Sequence, residues 1–133
     1  MPRKLVVVLV AFLLAGCATN KVENLLTQTL DSYAATLRWG DFESALQYVD
    51  PAVLKANPPT DLELARYRQV RVSMYDASSV QPVSETEVRQ RVMIGIINQH
   101  TQRERAVVDN QTWKYDAVTN RWWLQTGLPK IVD

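Results

Sequence analysis

From Val22 to Leu37 the apolar residues Val22, Leu25, Leu26, Leu30, Tyr33, Ala34 and Leu37 recur three and four positions apart. That spacing predicts one amphipathic helix with a single core-facing stripe. Asn20 with Glu23 three residues later has the form of a capping box that would start it, and Gly40 is placed to close it. Asp41 then reads as the N-cap of a second helix with Phe42, Ala45, Leu46 and Val49 on one face. Asp50-Pro51 starts a short third stretch through Ala56, which Pro58-Pro59 ends. Thr60 and Glu63 offer another capping box, predicting a turn or two of helix before the pattern changes.

After residue 69 the period falls from about 3.6 to 2. Val70, Val72 and Met74 alternate with Arg71 and Ser73, which predicts a half-buried strand. Val88, Val92, Ile94 and Ile96 share one face of a longer strand, with Met93 and Ile97 making its far end apolar on both faces. Gly95 inside that strand marks a bulge or a close backbone approach. A third strand runs from about Glu104 to Asp116 and a fourth from Arg121 to Thr126. Helices first and a meander of strands afterwards predicts an α+β fold, with the helices packed on one face of a curved antiparallel sheet of about four strands.

The last two strands also predict a register. With Ala117 to Asn120 as a four-residue loop, Asp116 faces Arg121, Tyr115 faces Trp122 and Trp113 faces Leu124. Alternation puts Trp113, Tyr115, Trp122 and Leu124 on one face and the pair Lys114 and Trp123 on the other. A slip of one residue would scatter the apolar set over both faces, so pattern and pairing select the same register.

The N-terminus has a different character. Arg3 and Lys4 precede an unbroken apolar run from Leu5 to Ala15, shorter than the roughly 20 apolar residues that a membrane-spanning helix needs. A charged start, a run of this length and small residues after it have the form of a secretory signal. Leu14-Ala15-Gly16-Cys17 resembles the lipobox of bacterial lipoproteins. The resemblance implies cleavage after Gly16, lipid attachment to the Cys17 thiol and acylation of the new amine. It divides the chain into a signal peptide at 1–16, a lipidated N-terminus and tether at 17–21, and a single domain at 22–133. Ala18 in place of the Asp associated with inner-membrane retention implies the inner leaflet of the outer membrane. Several acyl chains on one residue would hold the protein firmly, because each buried methylene contributes about 0.8 kcal/mol.

Cleavage at that point would leave 117 residues with 13 Lys and Arg against 14 Asp and Glu. That suffices for one domain with one core, and a nearly neutral domain without a basic stripe lacks the footprint of a nucleic-acid binder. With Cys17 lipidated no cysteine would remain to form a disulfide, so stability would rest on the core.

The segment Leu37-Arg38-Trp39-Gly40-Asp41-Phe42-Glu43-Ser44-Ala45-Leu46 resembles the first helix-to-helix junction of NTF2-like (SnoaL-like) domains, and Trp122-x-Leu124 after a hairpin resembles their closing strands. The likeness covers most of residues 22 to 128 and implies a cone of helices around a curved sheet. It implies little about function, since one such fold serves many activities.

Candidate chemistry is sparse. His100, the only histidine, lies in a polar stretch from Asn98 to Gln102 that reads as a hairpin loop, and without a cysteine or histidine cluster no metal site or cofactor is predicted. Counting back from Trp113 on its face of the third strand gives Gln111 and Asp109, which a regular strand would turn towards the helices. A bulge that turned Asp109-Asn110 outwards, or an open end of the sheet, would leave them in water. In NTF2-like domains that region holds a conical pocket, so Asp109 and Gln111, with Tyr33 as a hydrogen-bond partner from the first helix, are candidate ligand-binding residues. An Asp buried there would have a raised pKa suited to a general base. On the opposite face, Trp123 beside Lys114 is a candidate interaction surface for an envelope protein or a second copy, unless the Lys114 stem or the tail from Leu128 to Val132 covers it. Two functions follow: a non-enzymatic binding module of the cell envelope, marked by an exposed aromatic patch, and a pocket enzyme acting on a small hydrophobic substrate, marked by a deeply buried Asp109 beside Tyr33.

Overall fold

The computed structural model describes residues 2–131, with side chains from Asn20 onwards. Among these residues the chain forms the helices α1 (Pro2–Trp39), α2 (Phe42–Ala45), α3 (Pro51–Ala56) and α4 (Asp61–Tyr67), followed by the strands β1 (Val70–Ala77), β2 (Gln81–Ser84), β3 (Glu87–Asn98), β4 (Glu104–Asp116) and β5 (Arg121–Leu124). The strands make one antiparallel curled sheet in the order β1-β3-β4-β5, with β2 also pairing β3. The helices cover one face of it, giving the cone-like α+β arrangement that the pattern predicts.

Local chemistry sets the helix ends. Asp41 accepts a hydrogen bond from the Ser44 amide at 2.6 Å and Asp50 one from the Ala52 amide at 2.8 Å, each satisfying an amide at a helix start. Thr60 and Glu63 complete a reciprocal capping box on α4. The start of α1 is different: the helix runs unbroken through Asn20, so Asn20 and Glu23 lie inside it and cap nothing. No Pro falls between Leu5 and Asn20 to break the backbone, and the single glycine, Gly16, costs a helix only about 1 kcal/mol, so the helix passes through it. Cys17 falls on this helix, and its side chain lies outside the described residues.

The sheet follows the predicted register at its closing end. Trp113 pairs with Leu124, Lys114 with Trp123, Tyr115 with Trp122 and Asp116 with Arg121. β5 stops at Leu124, two residues short of the expected Thr126, although the Gln125 amide still donates to the Thr112 carbonyl at 2.8 Å. At the other edge the strict alternation of β1 fails. A bulge between Val72 and Met74 inserts Ser73, and from there on the parity is reversed. Met74 therefore faces out, 40% exposed, while Tyr75 turns inward opposite Ile94. Gly95 lies opposite the bulge: a Cβ there would sit 2.6 Å from Ser73 Oγ and 3.1 Å from Met74 Cβ, a close approach at which a larger residue would make Ser73 rotate and Met74 shift.

β2 has no counterpart in the sequence reading. It continues the line of β1 along β3 after a break at residues 78–80, where the Ser78 amide and hydroxyl both donate to the Arg91 carbonyl. Pro82 is tolerated because β2 is an edge strand whose outer side needs no amide donor.

The core joins the α1 stripe to the inner sheet face. Tyr33, Leu37, Phe42, Ala45 and Val49 meet Val72, Val88, Val92, Ile94, Ile96, Trp113, Trp122 and Leu124, all buried. Tyr33 packs edge-on against Trp113 with ring centroids 5.2 Å apart and against Tyr48 at 5.6 Å, a favourable aromatic geometry. The C-terminal segment closes one end: Leu128 and Ile131 are buried, and the Tyr67 hydroxyl donates to the Pro129 carbonyl at 2.9 Å.

Removing the Trp113 ring, 0% exposed, is expected to cost about 3–5 kcal/mol, a large share of the roughly 5–15 kcal/mol that holds a domain of this size. Trp113→Ala should therefore melt far below the parent by circular dichroism, and an unchanged melting curve would contradict the core described here.

Candidate functional site

The inner face of β4 carries the polar residues that alternation placed there. Asp109 and Gln111 point at the helices and are buried, at 9% and 1% exposure. No bulge interrupts β4, which pairs with β3 without a register shift from Glu87 opposite Lys114 to Ile97 opposite Glu104.

One donor orients this cluster. The Trp113 indole N–H can only donate, and it does so to Gln111 Oε1 at 3.0 Å. The Gln111 carbonyl must therefore face Trp113, which turns its NH2 towards Asp109 Oδ2 at 2.9 Å and the Tyr75 hydroxyl at 3.0 Å. Tyr75 stands where Tyr33 was expected. Tyr33 is fully buried beside these groups, yet its hydroxyl has no hydrogen-bond partner among the described residues, correcting the expectation that it bonds Asp109. Such an orphan costs about 1–3 kcal/mol. The bulge supplies the reason: by reversing the parity of β1 it delivers a second tyrosine to this inner face.

The electrostatics follow from the same burial. Loss of hydration raises the Asp109 carboxyl pKa above its ordinary value, and the Gln111 hydrogen bond only partly opposes this. Burial also raises the Tyr33 hydroxyl well above its usual value, with the Asp109 charge, Tyr75 and Tyr67 adding to it. Tyr75 and Tyr67 are each pushed up to about 12, chiefly by burial. Asp109 is thus an acid whose charged form the fold disfavours.

An open apolar cavity lies elsewhere. A groove of about 650 Å³ runs between the Val22–Leu26 part of α1 and the hairpin joining β2 to β3. Val22, Leu26, Val80, Pro82, Val88 and Trp122 give it apolar walls, and Glu23 and Glu85 are its only charged side chains among the described residues. Trp122 ties the floor to the helix by donating its indole N–H to the Val22 carbonyl at 2.9 Å. Tyr33, Asp109 and Gln111 are not part of its lining. Sequence reasoning found Trp122 and Tyr115 on this face but missed the groove, because its far wall is the strand β2 that no alternation announced.

On the outer face Trp123 stands opposite Lys114, as the register predicts. The ring is half-buried: the Arg121 guanidinium lies 4.1 Å from its centroid and the indole N–H donates to Thr119 Oγ1 at 3.1 Å. Its cover is thus Arg121, two residues back on the same face, a cation–π contact. More exposed apolar groups on that face are Met74, Met93 and Val108, with Met93 directly opposite Val108. His100 sits exposed in the hairpin turn, where its amide and that of Thr101 donate to Asn98 Oδ1. Among the described residues no group of three or more His, Cys, Asp or Glu is placed to hold a metal ion. No described helix is long and apolar enough to cross a membrane.

Comparison with protein families, curated proteins and solved structures finds no match. The reading of the site therefore rests on its geometry.

A raised folded-state pKa means that Asp109 gives its full stability below the ordinary carboxylate range and loses it as pH rises through the raised value. Asp109→Asn keeps an acceptor for Gln111 and removes the charge. It should raise Tm relative to the parent near pH 7, and the gain should shrink towards about pH 4. Melting curves of both proteins across that range check it; a difference that does not change with pH would show that charge burial is not what Asp109 costs.

Proposed function

We propose that the protein is a lipid-anchored module of the bacterial cell envelope that binds a small apolar ligand without chemical turnover. The groove carries this reading. Its volume of about 650 Å³ falls within the roughly 300–1,000 Å³ of small-molecule sites, and apolar walls with few polar groups are what such sites offer. Its lining holds no histidine among the described residues, and apolar side chains dominate it, which supports a binding surface over a reaction centre.

The anchor supports the same reading. Cys17 precedes Val22 by five residues, about 7.5 Å along a helix, so lipidation at the lipobox-like segment would place the groove close to the bilayer. Ala18 after the cysteine favours the inner leaflet of the outer membrane as the site of attachment.

A pocket enzyme is the second reading, favoured by the buried Asp109 beside Tyr33. A general base must come within hydrogen-bond reach of its substrate, and the groove does not extend to Asp109. The binding reading therefore needs no rearrangement, whereas the enzymatic one needs the core to open.

Two experiments test the proposal. Cys17→Ala should abolish incorporation of a fatty-acid analogue into the protein in cells and leave the precursor unprocessed; labelling at the parental level would refute the anchor. For the groove, the neutral fluorophore N-phenyl-1-naphthylamine should bind residues 18–133 saturably at one site. Leu26→Arg, which puts a charge into the half-exposed wall, should weaken that binding at least about tenfold, or about 1.4 kcal/mol, with the melting curve retained. Equal binding by the variant would remove the groove as the site.

A further inference from the structure

On the sheet face away from the helices, β3 turns Arg89 and Arg91 outward, both exposed. Being two residues apart on one strand, their Cα atoms are about 7 Å apart with parallel side-chain directions. Among the described residues neither guanidinium forms an ion pair. They flank the place where β1 gives way to β2: pairing with β3 ends at Ala77 opposite Val92 and resumes at Gln81 opposite Arg89. The gap at Ser78 and Ser79 deepens the surface there into a cleft of about 380 Å³. Asn110 faces Arg91 and Thr112 faces Arg89 across β4, and both line the cleft with Gln81 and Ser79.

We propose that this cleft is a binding site for a phosphorylated saccharide. The charge pattern selects the anion: two arginines lie in the lining and, among the described residues, no acidic side chain does. The nearest acids on that face, Asp76 opposite Met93 and Glu87 opposite Lys114, lie outside it. Guanidinium forks match phosphate oxygens in paired hydrogen bonds, and two forks at this spacing can share one phosphate. The remaining lining selects what carries the phosphate. Amides of Asn110 and Gln81 and hydroxyls of Ser79 and Thr112 both donate and accept, as a ring of sugar hydroxyls requires. There is no aromatic in the lining on which a nucleobase would stack, and the near-neutral chain lacks the basic stripe that tracks a nucleic-acid backbone. This site shares no residue with the apolar groove and does not depend on it.

The test uses the full chain in non-ionic micelles, followed by amide NMR. Glucose 1-phosphate should shift the amides of 78–81, 89–91 and 110–112 saturably, with inorganic phosphate binding about tenfold more weakly and glucose giving no shift. Arg89→Gln with Arg91→Gln, both exposed, should abolish the shifts while the melting curve stays in place. Arg89→Lys with Arg91→Lys, which keeps the charge without the fork, should retain weakened binding. Absence of saturable shifts in the parent, or equal shifts in the Gln variant, would overturn the site. Equal affinity for inorganic phosphate, or binding of glucose alone, would overturn its assignment to a phosphorylated saccharide.

Discussion

The indole of Trp113 joins the two halves of this structure. Its ring meets Tyr33 of α1 edge-on, which fixes how the longest helix lies on the sheet. Its N–H, a donor with one possible direction, fixes the Gln111 amide. From that orientation follows the rest of the polar chain, since the Gln111 NH2 is then aimed at Asp109 and Tyr75. Without Trp113 the amide could turn over, and a buried carboxylate would meet a carbonyl oxygen in place of an N–H. Buried polar networks stabilise when every member is satisfied and destabilise when one is not. Here the unsatisfied member is the Tyr33 hydroxyl, pressed into the same contact that holds the helix.

The second constraint is the bulge in β1. Had the strand continued regularly, Met74 would have entered the core and Tyr75 would have faced water. One extra residue reverses both. The exchange gives Gln111 a hydroxyl to bond and leaves Met74 on the same outer face as Met93, and Gly95, having no Cβ, leaves room for Ser73 opposite it. Met74 on the outer face and the Tyr75 end of the inner polar chain thus share one origin in the bulge.

These two constraints also explain which parts of the fold were legible in the sequence. The register of β4 against β5 could be read because turn length and hydrophobic alternation each select it alone, and they agree. The caps at Asp41, Asp50 and Thr60 could be read because their partners lie within three residues. Asp109 and Gln111 could be placed on the inner face by counting from Trp113. The bulge could not be placed, because the residue it lies against, Gly95, is on another strand more than twenty positions away. β2 was hidden for another reason: Gln81, Pro82, Val83 and Ser84 are all exposed, so burial imposes no alternation on them. The start of α1 was misjudged because a capping box has meaning only where a helix begins, and nothing before Asn20 stops one. Without β2 the groove had only one wall, and the cleft beside Arg89 had no break to form it.

The groove and the buried polar chain make opposite demands on the fold. A carboxylate kept from water at a cost is tolerable only if the surrounding core stays closed, which the packing of Tyr33, Leu37 and Trp113 ensures. A groove that served the proposed ligand would instead have to stay open in its absence. Trp122 reconciles them, being 2% exposed yet part of the groove lining. Its bond to the Val22 carbonyl holds α1 at a fixed distance from β5 where the groove begins, and its tilted contact with Tyr115 braces the same wall. These contacts brace the groove wall, so the ligand proposed for it would pay little to order the protein around it. Binding there would leave Asp109 undisturbed, because Trp122 and Trp113 stand on neighbouring strands as two separate supports: one walls the groove, and the other holds the polar chain closed.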